Sequence, residues 1–289
     1  MIRVGTRGST LAMWQARAVA SRLGEHEIVV ITTAGDRGEA GGDKARWTSE
    51  LERALLDGEI DIAVHSAKDV PGELAEGTVI AAIPERQDPR DALCGFADFA
   101  SLGSGARVGT SSIRRAAQIR AARADLEVVE IRGNVDTRLR KLAHGEVDAL
   151  ILACAGLIRL GRESDIGGLS DAMIPAPGQG ALLVQARAGD ASTLAQLATI
   201  NDPAAERCVT AERALASHLG ATCNTPLGAS AVPASGMDVT LKAWLGLPDG
   251  SHWIADELAG RSVEVGTEVA ERMTAVGARE LLQQAEEMA

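Results

Sequence analysis

Residues 59–71 (E-I-D-I-A-V-H-S-A-K-D-V-P) hold the densest chemistry in the chain. Ile60, Ile62, Ala63 and Val64 form an apolar strand core that runs directly into His65, Ser66, Lys68 and Asp69 and stops at Pro71. A buried strand that delivers polar side chains at its C-terminal end is where α/β proteins place reactive groups. A carboxylate there has no evident structural task, so Asp69 is the residue to explain.

A second cluster is cationic. Residues 108–115 (V-G-T-S-S-I-R-R) read as a strand, a hydroxyl-rich turn and a helix start. Backbone N–H groups, the Thr110 and Ser112 hydroxyls and Arg114 with Arg115 could cradle a carboxylate or a phosphate. The same residues would equally serve as a Ser/Thr cap followed by solvated arginines. Residues 132–138 (R-G-N-V-D-T-R) repeat the design, Thr6-Arg7-Gly8-Ser9 does so near the start, and Arg159 follows a strand predicted at 147–153. Arg7, Arg114, Arg115, Arg132, Arg138 and Arg159 around one cleft imply a ligand with several negative groups, because planar guanidinium forks match carboxylates bidentately.

Of the four cysteines, Cys154 in I-L-A-C-A-G-L reads as a small buried hydrophobe. Cys223 lies in G-A-T-C-N-T-P-L-G, a polar loop between glycines, where a thiolate could be exposed and reactive. Nothing favours a nucleotide: there is no G-x-x-x-x-G-K-[ST], and no G-x-G-x-x-G opens a βαβ unit. His26, His65, His144, His218 and His252 lack zinc-type spacing, so no metal site is expected.

The elements that must position these groups follow from periodicity. Strands are predicted near 2–6, 27–32, 60–65, 78–83, 106–110, 126–131, 147–153 and 181–187, with helices near 9–23, 47–57, 112–123, 135–143 and 190–200. In the first helix Ser9 is the N-cap, and Leu11, Trp14, Ala18, Val19 and Leu23 are expected to line one face. The alternation implies mostly parallel sheets with covered faces. Arg3-Val4-Gly5-Thr6 recurs as Arg107-Val108-Gly109-Thr110, and Gly58-Glu59-Ile60-Asp61 as Gly145-Glu146-Val147-Asp148, which implies two related α/β domains. The Pro/Gly-rich segments 84–89 and 174–180 read as crossings between them. The boundaries expected are 1–86 plus 179–200, 87–178, and 201–289. The last region is a small α+β domain, read as a helix at 204–219, strands at 238–246 and 252–259, and one final helix at 265–286.

Composition bounds the function. A net charge of −11 argues against a nucleic-acid or membrane-surface binder. No apolar run approaches a bilayer span, the N-terminus has no signal-peptide pattern, and the unpaired cysteines fit a reduced cytoplasmic setting. Lys44, Lys68, Lys141 and Lys242 are the only lysines among 29 cationic residues, a skew that biased genome composition accounts for.

Taken together, the chain resembles the porphobilinogen deaminase (hydroxymethylbilane synthase) family almost end to end. The likeness runs through G-T-R-G-S at 5–9, A-V-H-S-A-K-D-V-P at 63–71, E-R-x-D-P-R-D-A at 85–92, V-G-T-S-S-I-R-R at 108–115 and R-G-N-V-D-T-R-L at 132–139. It continues with A-G-L-I-R-L-G at 155–161, P-G-Q-G-A at 177–181, A-E-R at 211–213 and G-A-T-C-N-T-P-L-G at 220–228. The resemblance implies two α/β domains similar to type II periplasmic binding proteins plus a small α+β domain, in a cytoplasmic monomer. It implies a dipyrromethane cofactor held by Cys223 through a thioether. Four porphobilinogen units are then joined with loss of ammonia, and water frees the linear product of tetrapyrrole biosynthesis. By the same resemblance Asp69 is catalytic, and Lys68, Thr110, Ser112, Arg114, Arg115, Arg132, Gly133 and Asn134 hold the cofactor. Arg7, Ser9, Lys44, Ser66, Arg138, Arg159 and Gln179 contact substrate. Each porphobilinogen carries an acetate and a propionate, which accounts for the arginines. The segment 37–47 departs from the family, reading G-G-D-K-A-R-W where G-G-x-G-x-F is usual. The rival reading is a non-catalytic carboxylate-binding module, which has no use for Cys223 or for Asp69 among so many cations.

Overall fold

Apolar runs bounded by turn residues become strands, and amphipathic runs behind a Ser, Asn or Asp cap become helices. The computed structural model describes residues 1–35, 48–222 and 225–288, so Lys44, Cys223 and the segment 37–47 lie outside the described residues. The chain opens with β1 (Ile2–Thr6), α1 (Thr10–Ala20), β2 (His26–Val30), α2 (Ser49–Leu56), β3 (Ile62–Ser66) and β4 (Thr78–Ala82). Next come β5 (Asp91–Cys94), β6 (Arg107–Gly109), α3 (Ile113–Ala122), β7 (Glu127–Val129), α4 (Val135–Ala143), β8 (Ala149–Ala153), α5 (Cys154–Arg159) and β9 (Gly168–Ser170). It continues with β10 (Leu182–Arg187), α6 (Ala191–Leu197), α7 (Pro203–His218), β11 (Leu227–Pro233), β12 (Asp238–Gly246), β13 (Trp253–Arg261), α8 (Ser262–Ala275) and α9 (Ala278–Glu287).

Two five-stranded sheets share one plan, β2-β1-β3-β10-β4 and β7-β6-β8-β5-β9. In each, the first three strands are parallel and the fourth runs antiparallel to both its neighbours. The sheets are therefore less parallel than the alternation of elements implied. The physical reason is the crossing: β10 reaches the first sheet, and β5 the second, along a segment that arrives from the other sheet and enters from the opposite end. The segments 84–89 and 174–180 lie side by side, with Gln87 N–H on the Gly180 carbonyl at 3.2 Å and the Gln179 side-chain amide on the Pro89 carbonyl at 2.7 Å.

The sequence repeat has a structural cause. Arg3 donates from its backbone N–H and Nε to Asp61 Oδ2 (2.9 and 3.1 Å), from Nη2 to Asp61 Oδ1 (2.7 Å), and from Nη1 to the Gly58 carbonyl (2.6 Å). Arg107 makes the equivalent bonds to Asp148 (2.8, 3.2 and 2.8 Å) and to the Gly145 carbonyl (2.9 Å). The two recurring tetrapeptides are thus the two ends of one clamp that joins the first strand of each sheet to the turn before the third. The glycine inside R-V-G-T is required by packing, because a Cβ at Gly109 would sit 2.6 Å from Leu150 and 2.8 Å from Ile131.

Helix α1 buries Gln15, Ala16, Val19 and Ala20, whereas Trp14 is 42% exposed. Of the expected stripe, Val19 and Leu23 pack into the core of the first sheet, whereas Leu11 lies against Gly156 of α5. Small residues let the helix lie close on the sheet, and this overrides side-chain size as a guide to the buried face. Cys154 is buried, as expected.

The third unit is an antiparallel meander, β11-β12-β13, with Val239, Leu241, Ala243 and Leu245 of β12 packed against Leu215 of α7 and Val269 and Met273 of α8. Gly277, at φ 105°, divides the single helix expected at 265–286 into α8 and α9. Among the described residues no helix is long and apolar enough to cross a membrane.

Replacing Gly109 by Ala should destabilise the protein by about 1–3 kcal/mol through overpacking. The urea unfolding midpoint should fall, while Gly103→Ala, where an added Cβ meets nothing within 4 Å, should leave it in place.

Candidate active site

Strand β3 ends at Ser66 and passes into a single 3-10 turn, Ala67–Asp69. The turn is held by the Ala67 N–H on the Ala181 carbonyl at 3.0 Å and by the backbone at Gly178, where a Cβ would lie 2.9 Å from the Ala67 carbonyl carbon. Gly178 has φ +75°, so the 174–180 crossing can pass this close only with glycine there. Pinned in this way, Lys68 and Asp69 project at the carboxyl end of the sheet. Desolvation, reinforced by the nearby Arg115 charge, pushes the Lys68 ammonium down to about 8. Among the described residues no hydrogen bond or ion pair engages the Asp69 carboxylate. His65 is buried. Burial pushes it down to about 4, and its Nε2 meets Gln185 Oε1 at 3.1 Å.

Across the cleft, helix α3 brings Arg114 and Arg115 onto one carboxylate, Asp91 at the start of β5. Arg114 Nη2 lies 2.9 Å from Asp91 Oδ2, and Arg115 donates to Oδ1 from Nε (3.0 Å) and Nη2 (2.8 Å). Gln179 adds a bond from Nε2 to the same Oδ1 at 2.8 Å. All four residues are buried, Asp91 completely. Burial opposes its charge, yet the two guanidinium groups hold its carboxyl well below the usual carboxylate range. Asp91 was missed from sequence although it lies within the quoted P-R-D-A. No local sequence signal marked it, because only the burial of β5 shows that this charge must be paired.

One carboxylate cannot balance two guanidiniums and Lys68, so the wall remains cationic. Arg114 Nε is buried without a hydrogen-bond partner. Arg159, at the end of α5, is buried, and desolvation lowers it to about 10; it donates from Nη2 to the Gly180 carbonyl at 2.6 Å.

Two cavities meet here. One of about 770 Å³ is bordered by Arg7 and Ser9 at the start of α1, Ser66 and Lys68 after β3, Gly133, Asn134 and Arg138 at the start of α4, and Arg159. The other, about 320 Å³, is bordered by Lys68, Asp69, Ser112, Arg114, Arg115 and Gln179, and on the third unit by Ala221, Thr222, Thr225 and Leu227. Lys68 and Arg115 belong to both walls. The residues flanking 223–224 thus face Asp69 across the smaller cavity.

The remaining predicted residues divide. Ser9, Ser112 and Asn134 are N-caps, accepting from Ala12, Arg115 and Thr137 N–H, so the capping reading holds alongside cavity lining. Thr110 is buried and accepts the Ser112 N–H at 3.1 Å, lining neither cavity. Arg132 is not brought to the site. Its side chain is exposed and its Nε meets Glu130 at 2.7 Å, because residues two apart beside a strand project to the same side. Gly133 adopts φ +118° and its carbonyl accepts Arg138 Nε at 2.7 Å. No group of His, Cys, Asp and Glu among the described residues could hold a metal ion.

Comparison with known proteins agrees with this arrangement. The family model described as porphobilinogen deaminase, dipyromethane cofactor binding domain, matches residues 2–195, and that for the porphobilinogen deaminase C-terminal domain matches residues 206–275. Porphobilinogen deaminase of Deinococcus radiodurans is 46% identical over 303 residues, covering 98% of each chain. That of Thermus thermophilus is 44% identical, covering 98% of this chain and 99% of the relative. A periplasmic substrate-binding protein of an ABC transporter from Coxiella burnetii shares 17% identity over 71% of this chain and 94% of its own, with a TM-score of 0.40, too low to carry an argument about ligand. Two related sheets, a small third unit and these matches over nearly the full length establish that the chain belongs to the porphobilinogen deaminase family.

Proposed function

We propose that the chain condenses four porphobilinogen molecules, one at a time and with loss of ammonia, onto a dipyrromethane attached to Cys223, and releases hydroxymethylbilane by hydrolysis. The observation that carries this reading is the pair of joined cationic cavities that meet at Lys68 and Arg115, with Asp69 in the wall of the smaller one. In a chain of net charge −11, that concentration of cations has one economical use, which is binding a ligand rich in carboxylates.

The residues fit the cofactor. Lys68, Ser112, Arg114 and Arg115 would hold its acetate and propionate groups in the smaller cavity, where Arg114 Nε still lacks a partner. Thr110 would act through the turn it caps. When bound, the dipyrromethane supplies an electron-rich pyrrole carbon as the point of chain growth. Arg7, Ser9, Ser66, Arg138 and Arg159 would orient the carboxylates of the incoming substrate in the larger cavity, with Gly133 and Asn134 shaping its wall. Gln179 acts at one remove, by holding Asp91. Among the described residues Asp69 has no hydrogen-bond or ion-pair partner, which leaves its carboxylate able to face pyrrole N–H groups. There it stabilises the positive charge left on the substrate when ammonia departs and takes part in the proton transfers that follow.

Cytoplasmic location is supported by Cys94, Cys154 and Cys208, all free and buried thiols. The net charge supports a partner list without nucleic acid. A monomer is the state in which light scattering should find it.

Intact-mass measurement should show one dipyrrole on the protein and none on Cys223→Ser. Asp69→Asn should keep the adduct and lose about 10²–10⁴-fold in turnover; normal turnover by this variant would remove Asp69 from the reaction. Asp91→Ala strands two buried guanidiniums and should destabilise by about 3–5 kcal/mol, seen as a lower unfolding midpoint. The Lys68 ammonium sets opposite pH trends for assembly and for stability. In protein without the dipyrrole, adduct formation from porphobilinogen should slow as pH rises through about 8, because the cation that receives the carboxylates is lost, and Lys68→Arg should remove that limb. Between about 8 and the ordinary lysine value of 10.5 the unfolded chain binds the extra proton, so Lys68 raises folding stability with pH over that window.

A further inference from the structure

The tip of the β12–β13 hairpin lies outside the core of the third unit and seats on α3, the helix that carries Arg114 and Arg115. Arg120, in the last turn of α3, donates from Nη1 to the Pro248 carbonyl at 2.7 Å. Gly250, at φ +76°, lies against the same turn. A Cβ there would sit 2.5 Å from the Ala121 nitrogen and 2.8 Å from the Arg120 carbonyl carbon. Only glycine allows both that backbone conformation and that approach. The tip is preformed. Leu247 N–H donates to the His252 carbonyl and Gly250 N–H to the Leu247 carbonyl, each at 2.9 Å. Asp249 Oδ1 accepts the Ser251 N–H at 3.0 Å and its hydroxyl at 2.7 Å. The hairpin therefore moves with its sheet as one body.

A second joint lies further back along α3. The Gln118 side chain clasps the backbone of Ile174, donating to its carbonyl at 2.9 Å and accepting its N–H at 2.8 Å. Arg114 Nη1 donates to the same carbonyl at 2.7 Å. The next residue, Pro175, accepts the Ala229 N–H of β11 at 2.8 Å. Strand β11 thus hangs on α3 through the 174–180 crossing, and the hairpin hangs on α3 directly. Two joints fix both the distance and the tilt of the third unit, whereas one leaves a pivot. What they fix is a wall of the smaller cavity, which Leu227 at the start of β11 borders together with Arg114 and Arg115. Beside it, Gly246 N–H at the end of β12 donates to the Pro226 carbonyl at 3.4 Å. Pro226 follows Cys223 by three residues.

Resting on the function proposed above, we infer that Arg120 and Gly250 are positioning residues for the first condensation. Every addition takes place at the free end of a chain anchored at Cys223, while the turn that carries Asp69 is pinned by the 174–180 crossing. The distance from anchor to carboxylate therefore decides which ring meets Asp69. With the hairpin seated, the third unit stands at its starting register, where the shortest chain, the dipyrrole, presents its terminal ring. Longer chains have outgrown that register and do not depend on it. Neither Arg120 nor Gly250 borders either cavity, so both act through the pose of the third unit and not by touching substrate.

The test mixes the holoenzyme, carrying its dipyrrole, with porphobilinogen, quenches at successive times and reads by intact mass the chains with added units. Arg120→Ala should keep the dipyrrole and slow the first addition about tenfold or more, since a displacement near 1 Å costs up to about 10²-fold. The later additions should keep their rates. Arg120→Lys, which can still donate to the Pro248 carbonyl, should restore the first addition. Gly250→Ala should slow the same step, and the double variant should match the slower single within about twofold, because both changes break one contact. Equal slowing of all additions would show a general structural role and overturn the assignment, and so would an unchanged first addition. A wild type that carries no dipyrrole or leaves porphobilinogen unconsumed would overturn the proposed function and this inference with it. An active wild type confines any failure to the hairpin.

Discussion

The buried contact of Asp91 with Arg114, Arg115 and Gln179 is the constraint on which the site depends. It joins the first residue of β5, the first turn of α3 and the 174–180 crossing in one network sealed from water. Guanidinium groups in a low-dielectric wall are tolerable only with an anion beside them. Asp91 supplies enough negative charge to keep them folded inward and too little to neutralise them. The residue of positive charge, shared with Lys68, faces the cavities. A binding wall for polycarboxylates results from an ion cluster that is deliberately short of one or two anions.

The framework around this cluster is duplicated. The Arg3–Asp61 and Arg107–Asp148 clamps set each sheet's first strand against the turn that precedes its third. In each half the third strand then ends at the cleft, delivering Ser66, Lys68 and Asp69 from β3 and leading into α5 with Arg159 from β8. A second tie works from the third unit. Arg86 meets Glu212 at 2.7 Å, with the Glu212 carboxylate fully buried, and Glu212 also accepts the Gly178 and Ala231 N–H groups at 2.7 and 2.6 Å. Through that carboxylate the position of the third unit is coupled to Gly178, and through Gly178 to the turn that carries Lys68 and Asp69.

Much of the fold was legible because its signals are local. Strands such as 2–6, 78–82 and 182–187 are apolar runs with sharp polar ends, and α4 matches its predicted span because Asn134 caps it and Gly145 follows it. The elements that escaped had no local signal. Strand β5 begins with a charge, β9 has three residues, and β11 (L-G-A-S-A-V-P) alternates small residues whose inward set, Leu227, Ala229 and Ala231, has little hydrophobic contrast. The exposed Trp14 shows the same limit from the other side, since which helix face is buried depends on how closely the sheet approaches.

The site was legible in its residue types and only partly in its roles. By itself the sequence determined the chemistry: a strand-end acid in Asp69, a surplus of arginines at loop positions, and motifs specific enough to identify the family. Those properties reside in side-chain identity and in short-range order, which sequence contains in full. Tertiary structure alone decided the pairing. It put Arg114 and Arg115 on Asp91, turned Arg132 out to Glu130, and left Asp69 with no partner among the described residues. Each of these depends on which charges and dipoles end up within a few ångströms across long separations in the chain. No local pattern encodes such distances; they exist only once the sheets, the crossings and the third unit have closed around the cleft.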